Sequence, residues 1–250
     1  MFNRRGVSEA LGFILVFSII ITMTALVYTT GFADLQDARD FEQGNNAERA
    51  FDVLKANLED IVLRNAPSRG TEVKLADAQL YTGDPVPMFV IVSDDDDYME
   101  NTSFTPYIEP ITYATDDSAV TYVNGAIFRE SVGGEVMIQE PQYVLSDERV
   151  VMPLTHTYSE SGSQSVSGSR TVLVRSLNAH DDGLPNVMDV PDADTYNVTV
   201  LMQSPRAASW QTYFEREGFD CELDDDVLSC EKRGVENVTV TRMRIKVVFE

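Results

Sequence analysis

The sequence has few of the side chains on which most enzyme active sites depend. It contains two cysteines and two histidines in 250 residues, and His156 lies in an alternating strand pattern, far in sequence from His180. It has no Gly-rich phosphate loop, no nucleophile elbow, no HExxH motif and no Cys-x-x-Cys motif. The sequence therefore predicts no catalytic residue, no cofactor and no metal, and we expect a protein that is not an enzyme. Calcium binding in the acidic loop 181–194 is an alternative, but the loop lacks the EF-hand spacing.

Charge is absent from the segment Ala10–Ala33. As a helix at ~1.5 Å per residue, this segment is about 36 Å long, which is enough to cross the hydrocarbon core of a bilayer. A cleaved secretory signal would be shorter and would end in a small-x-small cleavage site, which is missing here. Arg4 and Arg5 precede the segment, whereas Asp34 and Asp37 follow it. The positive-inside rule therefore predicts a single-pass cell-membrane protein with a cytoplasmic N-terminus and an extracellular C-terminal domain.

Positive charge is scarce in the whole chain, and lysine is especially rare. There are 19 Lys and Arg against 41 Asp and Glu, which gives a formal charge of −22, and only four of the basic residues are lysines. Such an acidic surface repels nucleic acid, so we expect no nucleic-acid partner. The excess of Asp over Lys resembles that of halophilic proteins, whose self-repulsion is screened in molar salt. An ordinary acidic exported protein is the alternative.

Apolar spacing predicts one long N-terminal helix in two parts. Residues 7–33 form the transmembrane part, and residues 34–66 continue it as an amphipathic helix with one apolar side from Ala47 onward. Gly and Asn at 44–46 predict a kink or a flexible joint, and Pro67 ends the helix.

Beyond the helix, short β-like runs separated by turn residues predict an acidic antiparallel β-sheet head domain over residues 67–250. Asn124-Gly125 between two apolar runs predicts a type I′ hairpin. The polar run 159–169 predicts a mobile hairpin tip that joins two strands, and Pro153 predicts an edge strand or a bulge. The predicted strands are 71–80, 87–92, 119–129, 134–139, 149–158, 170–177, 195–203 and 235–249.

One short helix is predicted near the C-terminus of the head. Ser204 and Pro205 suit its start, and Gly218 suits its end. The residues expected to face the sheet are Ala208, Trp210, Tyr213 and Phe214. The fold class is therefore α+β.

The exported part carries two kinds of candidate modification. Cys221 and Cys230 flank a turn-like acidic run, so a disulfide that closes a hairpin fits an oxidising exterior, with free thiols as the alternative. Asn-x-Ser/Thr sequons for N-glycosylation occur at Asn101, Asn197 and Asn237. We expect Asn101, in a polar segment, to be the best acceptor, because strands leave only one face open.

The most specific pattern is the N-terminal run Arg4-Arg5-Gly6-Val7-Ser8-Glu9-Ala10-Leu11-Gly12, which leads into the apolar segment. This run resembles the class III signal of archaeal type IV pilins and archaellins. The segments NNAERAFDVLKANLEDI, GAIFRE, VSGSRTV and SPRAASWQTYFEREGF are similar to haloarchaeal pilin-like or flagellin-like membrane proteins. The resemblance implies that residues 1–6 are a leader, that a prepilin peptidase cuts between Gly6 and Val7, and that a pilus-type assembly machinery is a partner.

The same resemblance implies how the chain would assemble. The N-terminal helix would leave the lipid bilayer to pack against other pilin-like subunits, and Phe13, Leu15, Phe17, Ile20 and Leu26 would make the contacts. Because Glu9 is third after the expected cut and the head is large, a minor pilin or pseudopilin is expected. The alternative is a single-span, signal-anchored ectodomain that does not polymerise and that binds a ligand or a surface partner.

Overall fold

The computed structural model describes residues 4–94, 101–104, 106–160, 162–180, 183–190 and 192–250, without the side chains of 4–10 and 29–41. Its described part is an α+β protein with two helices and eighteen strands. Most strand pairs are antiparallel, so the predicted fold class is confirmed. The chain divides into two compact units, residues 1–45 and residues 46–250. We call the second unit the head.

Helix α1 spans Arg4–Arg64 and α2 spans Ala207–Arg216. The strands are β1 (Ser68–Lys74), β2 (Ala78–Thr82), β3 (Val86–Asp94), β4 (Asn101–Phe104), β5 (Tyr107–Ile108), β6 (Ile111–Ala114), β7 (Ser118–Val123), β8 (Ala126–Ser131), β9 (Gly134–Gln139), β10 (Val144–Leu145), β11 (Arg149–Tyr158), β12 (Ser165–Gly168), β13 (Thr171–Asn178), β14 (Asn186–Val187), β15 (Tyr196–Gln203), β16 (Asp220–Asp224), β17 (Val227–Val235) and β18 (Asn237–Phe249).

Helix α1 continues through residues 44–46, where the sequence predicted a kink or a joint. The boundary between the two units nevertheless falls here, at Asn45 and Asn46. The helix ends at Arg64, because Asn65 adopts a positive φ of 54° and the Ala66 N–H donates to the carbonyl of Asp60 at 3.2 Å. This hydrogen bond closes the last turn of the helix, and Pro67, which cannot continue a helix, follows it. The head therefore begins within α1, and not at residue 67.

The head contains three sheets, whereas the sequence predicted one antiparallel sheet. The first sheet has the order β1-β13-β18-β11-β10, with β14 also on β18. Strands β11 and β18 are parallel, from Arg149 opposite Asn237 to Tyr158 opposite Lys246. Because β18 lies between β11 and β13, the run 159–169 is not the tip of a hairpin, and that prediction was wrong. Residues Ser165–Gly168 instead pair with β2 in the second sheet.

The second sheet has the order β12-β2-β6-β7-β8-β9, and the third has the order β16-β17-β15-β3-β4, with β5 on β3. The predicted strand 71–80 is divided between the first and second sheets, because Asp77 turns the chain with a φ of 52°. The type I′ hairpin is confirmed, since Asn124 and Gly125 have φ values of 48° and 84° between paired Val123 and Ala126.

Two apolar cores fill the head. The N-terminal core joins one side of α1 to strands of the first and second sheets: Ala47, Phe51, Leu54, Leu58 and Ile61 are buried with Val73, Leu80, Ile111, Tyr122, Ile127, Val172, Ile245 and Val247. These helix residues follow the 3.6-residue period of an amphipathic helix. The apolar stripe that begins at Ala47 is therefore part of the head.

The C-terminal core joins α2 to the third sheet, to β8 of the second sheet and to β11 and β18. Trp210, Tyr213 and Phe214 are buried among Val90, Val92, Phe128, Val150, Met152, Val198, Val200 and Val240. Helix α2 begins at Ala207 with Arg206 as its N-cap, so the prediction that the helix starts at Ser204 and Pro205 was wrong. The Ser204 hydroxyl instead accepts the N–H of Arg206 at 3.1 Å, before the helix begins. Ala207 is buried and Ala208 is exposed, so the prediction that Ala208 faces the sheet was wrong. Gly218, with a φ of 83°, follows the end of the helix as predicted.

Candidate functional site: the apolar helix surface

The segment Leu11–Tyr28 of α1 is long and apolar enough, by length and composition, to cross a membrane. None of its residues is buried by the rest of the chain. An N-terminal membrane anchor and a signal sequence both have this composition. We call this segment the apolar segment.

One face of the apolar segment forms a shallow apolar groove. Its lining residues recur every three or four positions and are Leu11, Ile14, Leu15, Ser18, Ile19, Thr22 and Met23. The Thr22 hydroxyl donates to the carbonyl of Ser18 at 2.8 Å. This internal hydrogen bond satisfies the Thr22 donor without a partner outside the helix, which matters because an unpaired polar group is costly in hydrocarbon. The small Ser18 and Thr22 side chains leave the space that forms the groove.

The five predicted assembly residues are all exposed, but they do not share one face. Phe13 and Phe17 stack on each other with ring centroids 5.9 Å apart. Leu15 lines the groove, whereas Phe13, Phe17, Ile20 and Leu26 do not. The segment therefore offers a bulky aromatic surface and, elsewhere on its circumference, a groove with small residues.

The predicted cleavage site lies before the apolar segment. Gly6 and Val7 belong to the helical range of α1, and their side chains lie outside the described part of the chain. The structure therefore leaves cleavage as a prediction.

The two cysteines are joined in the head. Cys221 on β16 is directly opposite Cys230 on β17, and a disulfide connects them. Cys230 is fully buried in the C-terminal core, while Asp225 in the connecting turn has a positive φ of 52°. The disulfide thus ties the edge strand β16 to a buried strand, which agrees with the predicted closed hairpin.

The three sequons differ in accessibility. Asn101 on β4 and Asn237 at the start of β18 are exposed. Asn197 on β15 is only 1% exposed. An oligosaccharyl transfer to the folded head requires an exposed amide, so folding favours Asn101 and Asn237 as acceptors.

The two histidines lie near each other although 24 positions separate them in sequence. Burial, followed by the charges of Arg242 and Arg244, lowers the pKa of His156 to about 4. The His180 Nε2 accepts the backbone N–H of Arg244 at 2.9 Å. Neither ring is hydrogen-bonded to a described carboxylate, so the described part of the chain holds no His–Asp or His–Glu pair of the kind a general base uses.

Metal-binding clusters of three or more His, Cys, Asp or Glu side chains are not found among the described residues. Asp181 and Asp182 of the acidic loop 181–194 lie outside them.

Residues 5–248 match the family model DUF7289, a family of unknown function. The chain belongs to this family. The DUF7289 match includes both the apolar segment and the head, from α1 to nearly the end of β18. No curated protein and no solved structure matches the chain.

In this DUF7289 chain, sequence reasoning missed most of the groove. Leu11, Ile14, Ile19 and Met23 line it together with Leu15. Their spacing of three and four residues was a usable signal, but a uniformly apolar helix has no polar face against which a helical stripe stands out.

Proposed function

We propose that this chain is a membrane-anchored, pilin-like extracellular surface subunit, of the minor pilin or pseudopilin type, that assembles through its N-terminal apolar helix. The observation that carries the proposal is that no residue of Leu11–Tyr28 is buried by the rest of the chain. Eighteen consecutive residues of this composition are strongly disfavoured in water, where each Å² of exposed apolar surface costs roughly 25 cal/mol. Lipid or other apolar helices must therefore cover the segment.

The groove supports assembly in addition to anchoring. In a bilayer, lipid chains are as apolar as leucine, so helices associate through close packing rather than through the hydrophobic effect. The small residues Ser18 and Thr22 permit a second helix to approach the groove, and their hydrogen bond leaves a largely apolar floor. A neighbouring copy or another pilin-like subunit would fill this groove with a bulky side chain, of the kind that Phe13 and Phe17 present.

Two features of the rest of the chain support an extracellular head. Arg4 and Arg5 precede the apolar segment, which favours a cytoplasmic N-terminus. The Cys221–Cys230 disulfide is the form expected in an oxidising exterior. The resemblance of the first dozen residues to pilin signals supports a pilin-like subunit over an unrelated anchored domain.

The second candidate is a single-span ectodomain that stays in the membrane as a monomer and binds a ligand or a surface partner. The same exposed segment favours it, because lipid alone covers an apolar helix adequately. The two candidates differ in two observable properties, the processed N-terminus and the contacts of the groove.

The N-terminus is tested by intact mass and N-terminal sequencing of the protein purified from native membranes. A chain that begins at Val7 supports prepilin-peptidase processing and the pilin-like proposal. A chain that retains Met1–Gly6 contradicts it and supports the simple signal-anchored ectodomain. A chain that begins beyond Tyr28 shows that the apolar segment is a removed signal and overturns both.

The groove is tested by disulfide cross-linking in membranes. Both natural cysteines are already bonded to each other, so one introduced cysteine supplies the only free thiol. We expect Ser18→Cys, in the groove, to cross-link copies of the chain on mild oxidation. Val16→Cys, which lies about 160° around a helix of 3.6 residues per turn, is the matched control and should cross-link much less. Equal cross-linking at both positions, or none at either, would contradict assembly of copies through the groove.

A further inference from the structure

A strip of basic and aromatic side chains lies on one face of β11 and β18, at the end of the C-terminal core. On this face, Val150, Met152 and Leu154 of β11 and Val240 of β18 belong to the core. The alternation of the same strands then places His156, Arg242 and Arg244 beyond the core on the same face. His156 is directly opposite Arg244 in the parallel register. Three cationic or titratable nitrogen groups therefore meet where the apolar core ends.

Aromatic rings hold both guanidinium groups in place. Arg242 Cζ lies 5.2 Å from the centroid of Phe104, and Arg244 Cζ lies 4.8 Å from the centroid of Tyr158. Stacking fixes the plane of a guanidinium and leaves its edge N–H groups to donate. His156 lies 6.0 Å, centroid to centroid, from the same Tyr158 ring.

Within the described part of the chain, these two arginines lack the acidic partners that most other arginines of the head have. Arg129 pairs with Glu48 at 2.9 Å, and Arg206 pairs with Glu135 at 3.2 Å. Among the residues that the structure describes, neither Arg242 nor Arg244 forms an ion pair, in a chain whose acidic residues outnumber its basic ones 41 to 19. Among the described residues, this strip is therefore a positive patch without a paired carboxylate in an acidic chain.

The strip also holds polar atoms without partners. Within the described part of the chain, His156 Nδ1 and Arg242 Nε are buried and make no hydrogen bond. Buried polar groups are nearly always hydrogen-bonded, so such orphans call for a ligand or an ordered water. The electrostatics agree, because burial and then Arg244 lower the pKa of Arg242, as expected for a positive cluster that lacks a counter-ion.

We propose that His156, Arg242 and Arg244 form an oxyanion-binding site on the head, which takes a carboxylate or sulfate group. Guanidinium edges match such oxygens with paired, charge-assisted hydrogen bonds. The oxyanion comes either free from solution or as the acidic group of a saccharide. This site is independent of the apolar segment and of any assembly through it.

The test uses the full chain in detergent micelles with ¹³C-labelled histidine, in which the two imidazole signals are assigned with His180→Gln. Sodium sulfate is titrated at constant ionic strength against sodium chloride. We expect a saturable change of the His156 signal and a rise of its pKa toward the ordinary value of about 6.5, because a bound anion favours the protonated ring. A change that does not saturate at constant ionic strength would overturn the proposal.

Variants locate the site. Arg244 is exposed and its side chain makes no described hydrogen bond, so Arg244→Gln should fold, and we expect it to weaken sulfate binding by at least about tenfold. Arg149→Gln is the matched control, since it removes the same charge from an exposed arginine at the other end of β11. Equal weakening of sulfate binding by both variants would show that only the overall charge of the head matters, and it would contradict a specific site.

The source of the oxyanion is decided by comparing sulfate, acetate and glucuronate as ligands. Saturation by glucuronate at about tenfold lower concentration than by acetate assigns a saccharide-borne carboxylate, because only the sugar ring adds contacts. Equal or tighter binding of sulfate or acetate assigns a free oxyanion. Saturation by none of the three would show that the arginines are a surface feature without a ligand.

Discussion

The backbone N–H of Thr155 donates a hydrogen bond to Asn124 Oδ1 at 2.9 Å, and this bond joins two residues 31 positions apart in the chain. Asn124 is the first residue of the type I′ turn between β7 and β8 and is 1% exposed. Thr155 lies on β11, beyond the two residues of β11 that pair with β10. No described strand pairs with this edge of β11 at Thr155. The turn residue therefore satisfies a backbone donor that no strand pairs. Pro153, which has no N–H to satisfy, lies on the same open edge.

Replacement of Asn124 tests whether this residue stabilises the head through its hydrogen bond with Thr155 as well as through its turn conformation. Asn124→Gly keeps the positive φ but removes the acceptor, so we expect the free energy of unfolding to fall by about 1–3 kcal/mol. Asp225→Gly is the control, because Asp225 has a φ of 52° in an exposed hairpin turn. It should change stability by less than about 0.5 kcal/mol. Urea unfolding in detergent micelles measures both, and a neutral Asn124→Gly would show that only turn conformation matters.

The second half of α1 should be essential to the stability of the head. Phe51 is completely buried in the N-terminal core, so Phe51→Ala is expected to cost about 3–5 kcal/mol of unfolding free energy. Val53, on the same helix, is 54% exposed, and Val53→Ala should cost less than about 0.5 kcal/mol. Chemical denaturation followed by the single Trp210 measures the difference. Similar losses in the two variants would contradict the assignment of this helix face to the core.

A charge in the apolar segment should prevent stable insertion. Ile19 lines the groove, and Ile19→Arg is expected to cost about 3 kcal/mol at the centre of a membrane helix. Val53→Arg places the same charge on an exposed helical position of the head and should leave insertion unchanged. Carbonate extraction of membranes and fractionation measure this. A fully membrane-retained Ile19→Arg variant would contradict the membrane role of the segment.

The disulfide should stabilise the hairpin β16–β17. The double substitution Cys221→Ser with Cys230→Ser is expected to lower stability by about 2 kcal/mol, at the low end of the usual range because the closed loop is short. Reductant should destabilise the wild type and leave the double variant unchanged, which separates loss of the bond from other effects of the reagent. Identical melting of the oxidised and reduced wild type would argue against a stabilising bond.

His156 should make the head less stable in acid. Its folded-state pKa of about 4 lies below the ordinary value, because burial and then the charges of Arg242 and Arg244 oppose protonation, against a weaker hydrogen bond with the Tyr107 backbone. The unfolded chain takes up this proton near pH 6.5, so the stability from neutral His156 is present above pH 6.5 and is lost as the pH falls toward 4. Lys246, which pairs with Glu160, and His180 are the other titratable groups nearby.

The measurement is the difference in unfolding free energy between wild type and His156→Gln, from pH 7.5 to 5 in a buffer without oxyanions. The other titratable groups contribute equally to the pH dependence of both chains, so their contributions cancel in the difference. We expect the unfolding free energy of the wild type to fall relative to that of His156→Gln as the pH falls. A difference that is independent of pH over this range would contradict the lowered pKa of His156.

Local signals predicted the elements that short-range physics decides. Asn124-Gly125 predicted its turn because only residues that accept positive φ suit a type I′ hairpin. The short helix α2 and its end at Gly218 were likewise predicted from local signals, but its start was not, because Arg206 rather than Ser204 is the N-cap. The prediction of a hairpin tip at 159–169 was wrong, because a polar composition indicates an exposed segment but does not indicate which strands the segment joins. The basic strip was missed because Arg242 and His156 meet only across the parallel pairing of β11 and β18.

The sequence by itself determined the apolar segment, the α+β class and the acidic character, since each depends on composition or on periodicity within a short window. Only the tertiary structure decided that the head has three sheets and begins within α1 near Asn46, and that β18 separates β11 from β13. These features depend on pairings between residues far apart in the chain. Many alternative registers satisfy the same alternating pattern, and the choice among them is made by how completely the two cores are filled.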